Sequence, residues 1–278
     1  MQILSIYEPI QEELLQVEER LKDSGHVGFA SLAELLTHVL SARGKLVRPA
    51  VTLLSGKFHH NHPELLVPMG VSVELLHVAT LIHDDTVDNS PMRRGKPTVN
   101  KAWGKDVAVL LGDYVFANAA VFVCSTNNVR VIDLFSKTLM ALSSGELREI
   151  FTANDWRQER QNYWQRIQDK TASLFTTAAE SGAILSDAPE ETVSAFRTYG
   201  HNLGMAFQIA DDILDFEGDE EEVGKPVGND LLQGILTLPS ILLLERYPKD
   251  NPIQKLFQNH EDSEHLEAAL EMVRNSAV

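Results

Sequence analysis

Six aspartates fall into two clusters of identical spacing, and carboxylates spaced in this way could hold a divalent metal ion. One cluster is Asp84-Asp85-Thr86-Val87-Asp88 and the other is Asp211-Asp212-Ile213-Leu214-Asp215. Each ends an apolar run of helical periodicity, so its first and last aspartates share one helix face. Neither cluster contains a lysine or arginine, and the C-terminal end of a helix is the negative end of its dipole. The carboxylates of each cluster therefore repel one another. Magnesium, which is held by carboxylates and substrate phosphates, would relieve this repulsion.

Solvated helix ends are the alternative interpretation for either cluster alone, but basic residues stand where they could meet phosphates. Gly44-Lys45-Leu46-Val47-Arg48-Pro49 places Lys45 and Arg48 three residues apart, and Arg93-Arg94-Gly95-Lys96-Pro97-Thr98 follows the first cluster. Arginine binds phosphate oxygens through bidentate hydrogen bonds from its guanidinium group, and lysine supplies a mobile point charge. Together with the aspartates, these residues predict one magnesium–diphosphate site. Further candidate donors are Lys170, Thr171 and Lys225.

The elements that must position these residues are predicted to be helices. Apolar residues recur mostly at helical spacing, as in Val71, Leu75, Val78 and Ile82, and alternating β patterns are scarce. Turn signals separate about ten or more helices, with no confident strand. No linker rich in proline, glycine or serine divides the chain. The sequence therefore predicts an all-α protein, a single large helical bundle forming one domain over residues 1–278, with helices near 65–88 and 192–216 at its centre.

Composition excludes several partners and compartments. The net charge of −16 argues against nucleic acid, because phosphate backbones need a basic face. Cys124 is the only cysteine and the N-terminus lacks a signal-peptide pattern, so a cytoplasmic location is expected. Residues 65–83 and 106–125 are apolar but carry charged or polar groups. We interpret both stretches as buried core helices, and we expect no membrane span.

The GKxxRP segment, the two DDxxD clusters and the RRG after the first cluster together resemble the all-trans polyprenyl diphosphate synthases. The resemblance runs from about residue 40 to 245 and is closest to the long-chain branch. It implies the isoprenoid synthase fold around a deep central cavity, a homodimer and three magnesium ions. The implied reaction joins isopentenyl diphosphate to an allylic diphosphate, which is the geranyl, farnesyl or geranylgeranyl ester.

The same resemblance assigns roles to individual residues. Asp84, Asp88 and Asp211 would bind magnesium. The supporting carboxylates, counted with these as catalytic, would be Asp85, Asp212 and Asp215. The allylic diphosphate would contact Arg93, Lys170, Gln208 and Lys225, with Thr171 beside it and Lys170 also counted as catalytic. Isopentenyl diphosphate would contact Lys45, Arg48, His77 and Arg94.

Product length is predicted from the helix that precedes the first cluster. Short-chain relatives close the tunnel with large aromatic residues, whereas this chain has Ala79 and Thr80 there, with Leu76 one turn below as a partial floor. A turn rises 5.4 Å, comparable to one isoprene unit. These positions predict a product of 30 or more carbons. A geranylgeranyl-type synthase with a twenty-carbon product is the nearest alternative.

Two departures from the family pattern keep another alternative open. Ile235, in Gly234-Ile235-Leu236-Thr237-Leu238-Pro239, replaces a lysine expected near the allylic diphosphate, and the sequence ends at Val278, earlier than in most relatives. Ile235 favours a non-catalytic subunit of a heteromeric synthase, although both aspartate clusters are retained. A class I terpene cyclase would lack the GKxxRP segment. Metalloprotease chemistry fails because His260 and His265 are five residues apart, where HExxH needs four.

Overall fold

A computed structural model describes residues 3–41, 44–217, 227–258 and 263–276. This part of the chain is almost wholly helical, which confirms the predicted fold class. We number its α-helices α1 Ile3–Tyr7, α2 Gln11–Asp23, α3 Ala30–Leu40, α4 Val47–Gly56, α5 Pro63–Val87, α6 Val99–Trp103, α7 Lys105–Ser125, α8 Val129–Thr152, α9 Arg160–Ile167, α10 Ser173–Leu185, α11 Glu190–Glu217, α12 Asn229–Leu232, α13 Leu238–Arg246, α14 Pro252–Gln258 and α15 Ser263–Asn275. A 3-10 turn, Glu8–Ile10, and a π-helical turn, Gln168–Ala172, join neighbouring helices.

One small hairpin departs from the expectation of no strand. Strand β1, Met92–Arg93, pairs antiparallel with β2, Lys96–Pro97. The turn residues Arg94 and Gly95 both have positive φ, 49° and 76°. This is the backbone geometry of a type I′ turn, which matches the twist of a two-stranded ribbon. Strands of two residues leave no alternating pattern in the sequence, which is why periodicity did not reveal them.

The chain folds into two compact units, and the single domain over residues 1–278 stays a prediction. Unit 1 comprises Met1–Lys137 and Leu174–Gly200. Its central helix is α5, which packs on α2, α4 and α7. Residues on all sides of α5 are buried, including the unbroken run from Leu66 to Leu76. A helix that is apolar all round must lie in a core, and burying each large aliphatic side chain contributes about 1.5–3 kcal/mol.

Unit 2 comprises Thr138–Ser173 and His201–Val278. Its core is a cluster of apolar side chains from the last part of α11 and from α9, α12, α13, α14 and α15. Tyr163, Phe216 and Leu231 are its largest fully buried members. This core holds α9 beside the aspartate-bearing end of α11, so it fixes the position of the second cluster within its unit.

Within the described residues, two helices, α5 and α7, are long and apolar enough to cross a membrane by length and composition alone. Their most apolar stretches have mean hydropathies of 1.9 and 2.0, and 72% of the α5 stretch is buried against 33% of the α7 stretch. The interpretation as a core helix therefore holds for α5 and is wrong for much of α7. Leu110, Tyr114 and Val121 recur on one face of α7 and are exposed.

Candidate active site

The first aspartate cluster occupies the C-terminal turn of α5. The Asp88 backbone N–H donates to the Asp84 carbonyl at 2.8 Å, and Asn89, with a φ of 50°, ends the helix in the left-handed conformation that asparagine tolerates. Asp84 is half-buried and Asp88 is exposed. Both carboxylates stand on one face at the negative end of a 25-residue helix. A divalent cation bound here would reduce the repulsion between these negative charges.

Asp85 is buried and held by Arg93. The Arg93 Nε donates to Asp85 Oδ1 at 2.7 Å and to Oδ2 at 2.8 Å. This ion pair connects the last turn of α5 to the β1–β2 hairpin. The supporting role of Asp85 that the resemblance implies stays a prediction. In the structure the Arg93 Nε donates to the Asp85 carboxylate, whereas the resemblance implied that Arg93 contacts the allylic diphosphate.

Four ionisable residues lie together within unit 1, namely Arg48, Glu74, His77 and Arg94. Arg48 leads into α4, where its guanidinium carbon lies 4.7 Å from the centre of the Phe175 ring. Burial lowers the pKa of Arg48 to about 10, although Glu74 opposes the shift. Arg48 Nε is buried without a hydrogen-bond partner among the described residues. A buried cationic donor of this kind is costly unless an anionic ligand pairs with it.

Glu74 and His77 complete this group from α5. Burial raises the pKa of Glu74, while Arg48 and Arg94 oppose the shift. Burial lowers the pKa of His77 well below its usual range, and the positive charges of Arg48, Arg94 and Arg93 lower it further. His77 is therefore neutral near pH 7, which makes it a hydrogen-bonding group and not a third cation. A Cβ on Gly44 would lie 3.4 Å from both Arg94 Nη1 and Glu74 Oε1, so the GKxxRP segment closes over this group.

Lys45 is exposed, and its carbonyl accepts a 2.9 Å hydrogen bond from the Tyr7 hydroxyl. Leu46, the next residue, has a φ of 49°, which is uncommon for a residue with a side chain. Arg94 shares this conformation in the hairpin turn. Both basic motifs therefore contain a residue in a left-handed conformation, and such strain is concentrated at functional sites.

The second aspartate cluster lies within the last two turns of α11, in unit 2. Asp211 is exposed and Asp212 is buried. Asp212 accepts hydrogen bonds from the Tyr163 hydroxyl at 2.7 Å and from Gln208 Nε2 at 2.8 Å. Burial raises the pKa of Asp212 to about 6 against the lowering effect of both bonds. Asp215 Oδ2 accepts from the Asp230 N–H at 3.2 Å, which ties the cluster to the start of α12.

Lys170 and Thr171 lie in the π-helical turn Gln168–Ala172. Such turns are rare and frequently found at functional sites. Thr171 donates to Gln208 Oε1 at 2.6 Å, so Gln208 bridges Thr171 and Asp212. Lys170 is paired with Glu146, at 2.7 Å, and with Glu149. Gly145 allows this approach, because a Cβ there would lie 2.7 Å from the Lys170 backbone nitrogen.

The Ile235 departure lies directly after the turn at Gln233 and Gly234. The Ile235 N–H donates to the Asp230 carbonyl at 2.8 Å, and Ile235 itself is half-buried. Gly234 before it has a φ of 71°, and a Cβ there would overlap Asn154. Buried Arg166 donates to the Leu236 carbonyl at 2.5 Å. The segment is thus fixed by Arg166 and Asn154, and Lys225, the remaining predicted donor, lies outside the described residues.

The chain-length positions lie on α5, before the first cluster. Ala79 and Leu76 are buried and Thr80 is half-buried. Ser72, two turns before Ala79, donates to the Ala119 carbonyl of α7 at 2.9 Å. His83, one turn after Ala79, lies so close to Gly112 of α7 that a Cβ there would overlap it. The Ala79 side of α5 therefore borders α7.

Comparison with known proteins identifies this arrangement. The family model described as polyprenyl synthetase matches residues 29–273, which spans both aspartate clusters and every basic motif. The chain belongs to the polyprenyl synthetase family.

Members of this family with assigned names are similar over most of their length. Heptaprenyl diphosphate synthase component 2 of Geobacillus stearothermophilus is 38% identical over 244 residues, which cover 88% of this chain and 76% of that protein. The crystal structure of heptaprenyl diphosphate synthase from Staphylococcus aureus has a TM-score of 0.91 at 36% identity, covering 96% and 84% of the two chains. That of a polyprenyl synthase from Caulobacter crescentus CB15, complexed with calcium and isoprenyl diphosphate, has a TM-score of 0.92 at 30% identity, covering 98% and 84%.

The donor chemistry of a polyprenyl synthetase site fits magnesium in both units. Asp84, Asp88 and Asp211 offer the hard oxygen donors that magnesium prefers, and they are half-buried or exposed. Asp85 and Asp212 are buried and held by hydrogen bonds beside them. In metal sites such bonded neighbours commonly orient the ligands. In each cluster the second aspartate is therefore the buried one, and the division of the six aspartates into metal-binding and supporting residues stays a prediction.

Sequence reasoning missed four residues that shape the family's site here. Glu74 joins the arginines of unit 1, and Tyr163 holds Asp212. Glu146 and Glu149 hold Lys170. Glu74 could have been found, because a lone carboxylate inside an apolar helix three residues before a histidine needs a partner. The other three lack such a signal, since their partners are distant in sequence.

Proposed function

We propose that this polyprenyl synthetase family member is a magnesium-dependent trans-prenyltransferase. It condenses isopentenyl diphosphate with an allylic diphosphate, which is geranyl, farnesyl or geranylgeranyl diphosphate. The proposal rests mainly on the buried Arg48 Nε, which has no hydrogen-bond partner among the described residues and lies in the same unit as the aspartates at the end of α5, in a chain of this family. The calcium and isoprenyl diphosphate bound by the Caulobacter relative support the same ligand chemistry.

The residues support charge stabilisation of a departing diphosphate. When bound at Asp84, Asp88 and Asp211, three magnesium ions would supply the positive charge that favours loss of diphosphate from the allylic carbon. Thr171 and Gln208 orient the second cluster through Asp212. Arg48, Arg94, Lys45 and neutral His77 bind isopentenyl diphosphate. The allylic carbon–oxygen bond breaks, a carbon–carbon bond forms, and the released diphosphate takes the proton, so no side chain is assigned as general base.

Lys170 supports the reaction only if its carboxylate partners release it or share it. Its ammonium group is paired with Glu146 and Glu149 in the structure. An ammonium group has three donors, so a lysine held by carboxylates can also bind a phosphate oxygen. We therefore propose that both glutamates hold Lys170 in position for the allylic substrate. Because the two glutamates already hold Lys170 in one conformation, less side-chain entropy would be lost when it binds the substrate.

The product is proposed to contain 30 or more carbons. Named relatives support this length, because they include heptaprenyl, octaprenyl and solanesyl diphosphate synthases. The small side chain of Ala79 supports it independently, since a small residue five positions before Asp84 leaves room for a growing tail. Products of twenty carbons would instead favour the geranylgeranyl-type alternative.

A homodimer is proposed on the exposed face of α7. Leu110 and Val121 are 68% and 66% exposed, and Tyr114 lies between them on the same face. A row of exposed apolar residues of this kind marks an interaction surface. One relative is a synthase component 2, which supports a second chain of a different kind as the alternative partner. A cytoplasmic location is proposed from composition alone, since the sequence contains one cysteine, Cys124.

Matched pairs of variants test the proposed function. We expect Asp84→Asn and Arg48→Gln to lower prenyl transfer from isopentenyl diphosphate to farnesyl diphosphate by at least a hundredfold, corresponding to about 2.7 kcal/mol of transition-state stabilisation. Asp23→Asn and Arg20→Gln make the same changes at exposed positions of α2 and are expected to retain full activity. Circular dichroism checks that each variant is folded. Full activity in both site variants would contradict the proposal.

A further inference from the structure

Two histidines and an aspartate converge on the far end of α5 from the aspartate cluster. His60 and His62 lie in the loop between α4 and α5, and Asp187 lies in the loop between α10 and α11. All three belong to unit 1. The His60 backbone N–H donates to the Ser186 carbonyl at 3.1 Å, so the two loops are joined beside the three side chains. Along α5, His62 precedes Asp84 by 22 residues, which is about 33 Å of helix.

The donor atoms are spaced as a tetrahedral metal ion requires. His62 Nε2 lies 3.2 Å from Asp187 Oδ2, and His60 Nδ1 lies 3.9 Å from the same oxygen. One donor atom from each of the three residues lies within 4.8 Å of the others. Zinc bound at about 2.0–2.1 Å to nitrogen and oxygen separates neighbouring tetrahedral ligands by about 3.4 Å. A metal ion would therefore need only small side-chain adjustments.

A second carboxylate faces the other ring nitrogen of His62. Glu64 Oε1 lies 3.3 Å from His62 Nδ1. A histidine that binds a metal usually directs its other N–H to a carboxylate, which fixes the tautomer and strengthens the ligand. With its proton on Nδ1, the His62 ring presents a bare Nε2 to the Asp187 carboxylate. In that tautomer a metal ion bound between His62 Nε2 and Asp187 Oδ2, which lie 3.2 Å apart, would give both acceptors a partner.

We propose that His60, His62 and Asp187 form a transition-metal site, with zinc as the ion that fits best. Two imidazoles and one carboxylate suit zinc, nickel or copper, whereas magnesium prefers an all-oxygen set. Water completes the coordination, because all three side chains are at least partly exposed. The bound ion cross-links the α4–α5 loop to the α10–α11 loop. It stabilises unit 1 because the unfolded chain does not hold these ligands together.

The competing explanation is a set of surface ion pairs. His60 and Asp187 have 79% and 71% of their side-chain surface exposed, and exposed pairs contribute little. The two explanations differ in one measurable respect. Ion pairs give no site for zinc, whereas the proposed site binds it with imidazole nitrogen in the coordination shell.

The test uses the full-length protein in excess magnesium, so that the aspartate clusters are occupied. Zinc chloride is titrated by calorimetry, and X-ray absorption of the loaded protein identifies its ligands. We expect one zinc per chain with imidazole ligands, a raised unfolding midpoint, and at least tenfold weaker binding in His62→Gln and in Asp187→Asn. Glu64→Gln is expected to weaken zinc binding by about tenfold. His59→Gln, an exposed histidine beside the cluster, is the matched control and is expected to bind zinc as the wild type does.

Zinc binding that His62→Gln and Asp187→Asn leave unchanged would overturn the site, as would an absorption spectrum with oxygen ligands only. Failure to bind zinc in excess magnesium would also overturn it. None of these readouts measures prenyl transfer, so the outcome is independent of the proposed function.

Discussion

Replacing Ala79 by phenylalanine should shorten the product. Ala79 precedes Asp84 by five residues on an unbroken helix, which places it about 7.5 Å along the axis from the first cluster. Leu76 and Ser72 follow at about 12 and 18 Å. A tail of 30 or more carbons must therefore pass Ala79 and continue beside Leu76 and Ser72. A phenyl ring at position 79 would block the tail after about one and a half turns, so we expect products shorter than those of the wild type.

The assay is chromatography of the dephosphorylated products made from farnesyl diphosphate and labelled isopentenyl diphosphate. Ala79 is buried, so overpacking is expected to cost about 1–3 kcal/mol of stability, and thermal unfolding must be measured in parallel. Ala183→Phe is the matched control, because it makes the same change at a fully buried alanine near the end of α10. Folded Ala79→Phe with unchanged product lengths would refute the reasoning. Equal shortening by Ala183→Phe would do so too.

Three further predictions follow from individual contacts. Folding lowers the pKa of His77, so the free energy of unfolding falls as the pH drops below 6.5. His77→Gln should remove about 1.2 kcal/mol of the loss between pH 7 and 5.5, as measured by urea unfolding. Unchanged pH dependence would contradict this. Tyr163→Phe should cost about 1.5–3 kcal/mol by losing the bond to the second cluster, whereas exposed Tyr199→Phe should be neutral in thermal unfolding. Leu110→Lys should give a monomer in light scattering while Phe29→Lys leaves the dimer intact, and a dimeric Leu110→Lys would exclude this interface.

The helical fold could be predicted because the long helices carry their own signal. The stretch of α5 is apolar on all sides and begins with Pro63 at its first turn, and both features are visible in the sequence. The hairpin was not predictable from periodicity, since its strands are two residues long. The exposed face of α7 was misinterpreted as core. Composition alone does not distinguish a helix buried within one chain from one that keeps an apolar surface for a partner.

The candidate site was predictable where its chemistry is local. Asp84 and Asp88 predict a metal site because residues four apart lie on the same face of a helix, about one turn from each other. The pairing of Asp85 with Arg93 spans eight residues and depends on a turn that places Arg94 in a left-handed conformation. Tyr163 and Asp212 are 49 residues apart, and no spacing rule connects them. Side chains that orient the reacting groups were therefore missed wherever tertiary packing, and not helix geometry, brings them together.

The central claim is that the two aspartate clusters serve magnesium-dependent chain elongation. Its most direct test incubates the purified wild-type protein alone with farnesyl diphosphate, isopentenyl diphosphate and magnesium, and then sizes the products. We predict polyprenyl diphosphates of 30 or more carbons, none of which form when a chelator replaces magnesium. Turnover that persists without any divalent cation would contradict the account. So would an inactive protein that makes long products only when a different chain is added, because that result favours a subunit of a heteromeric synthase.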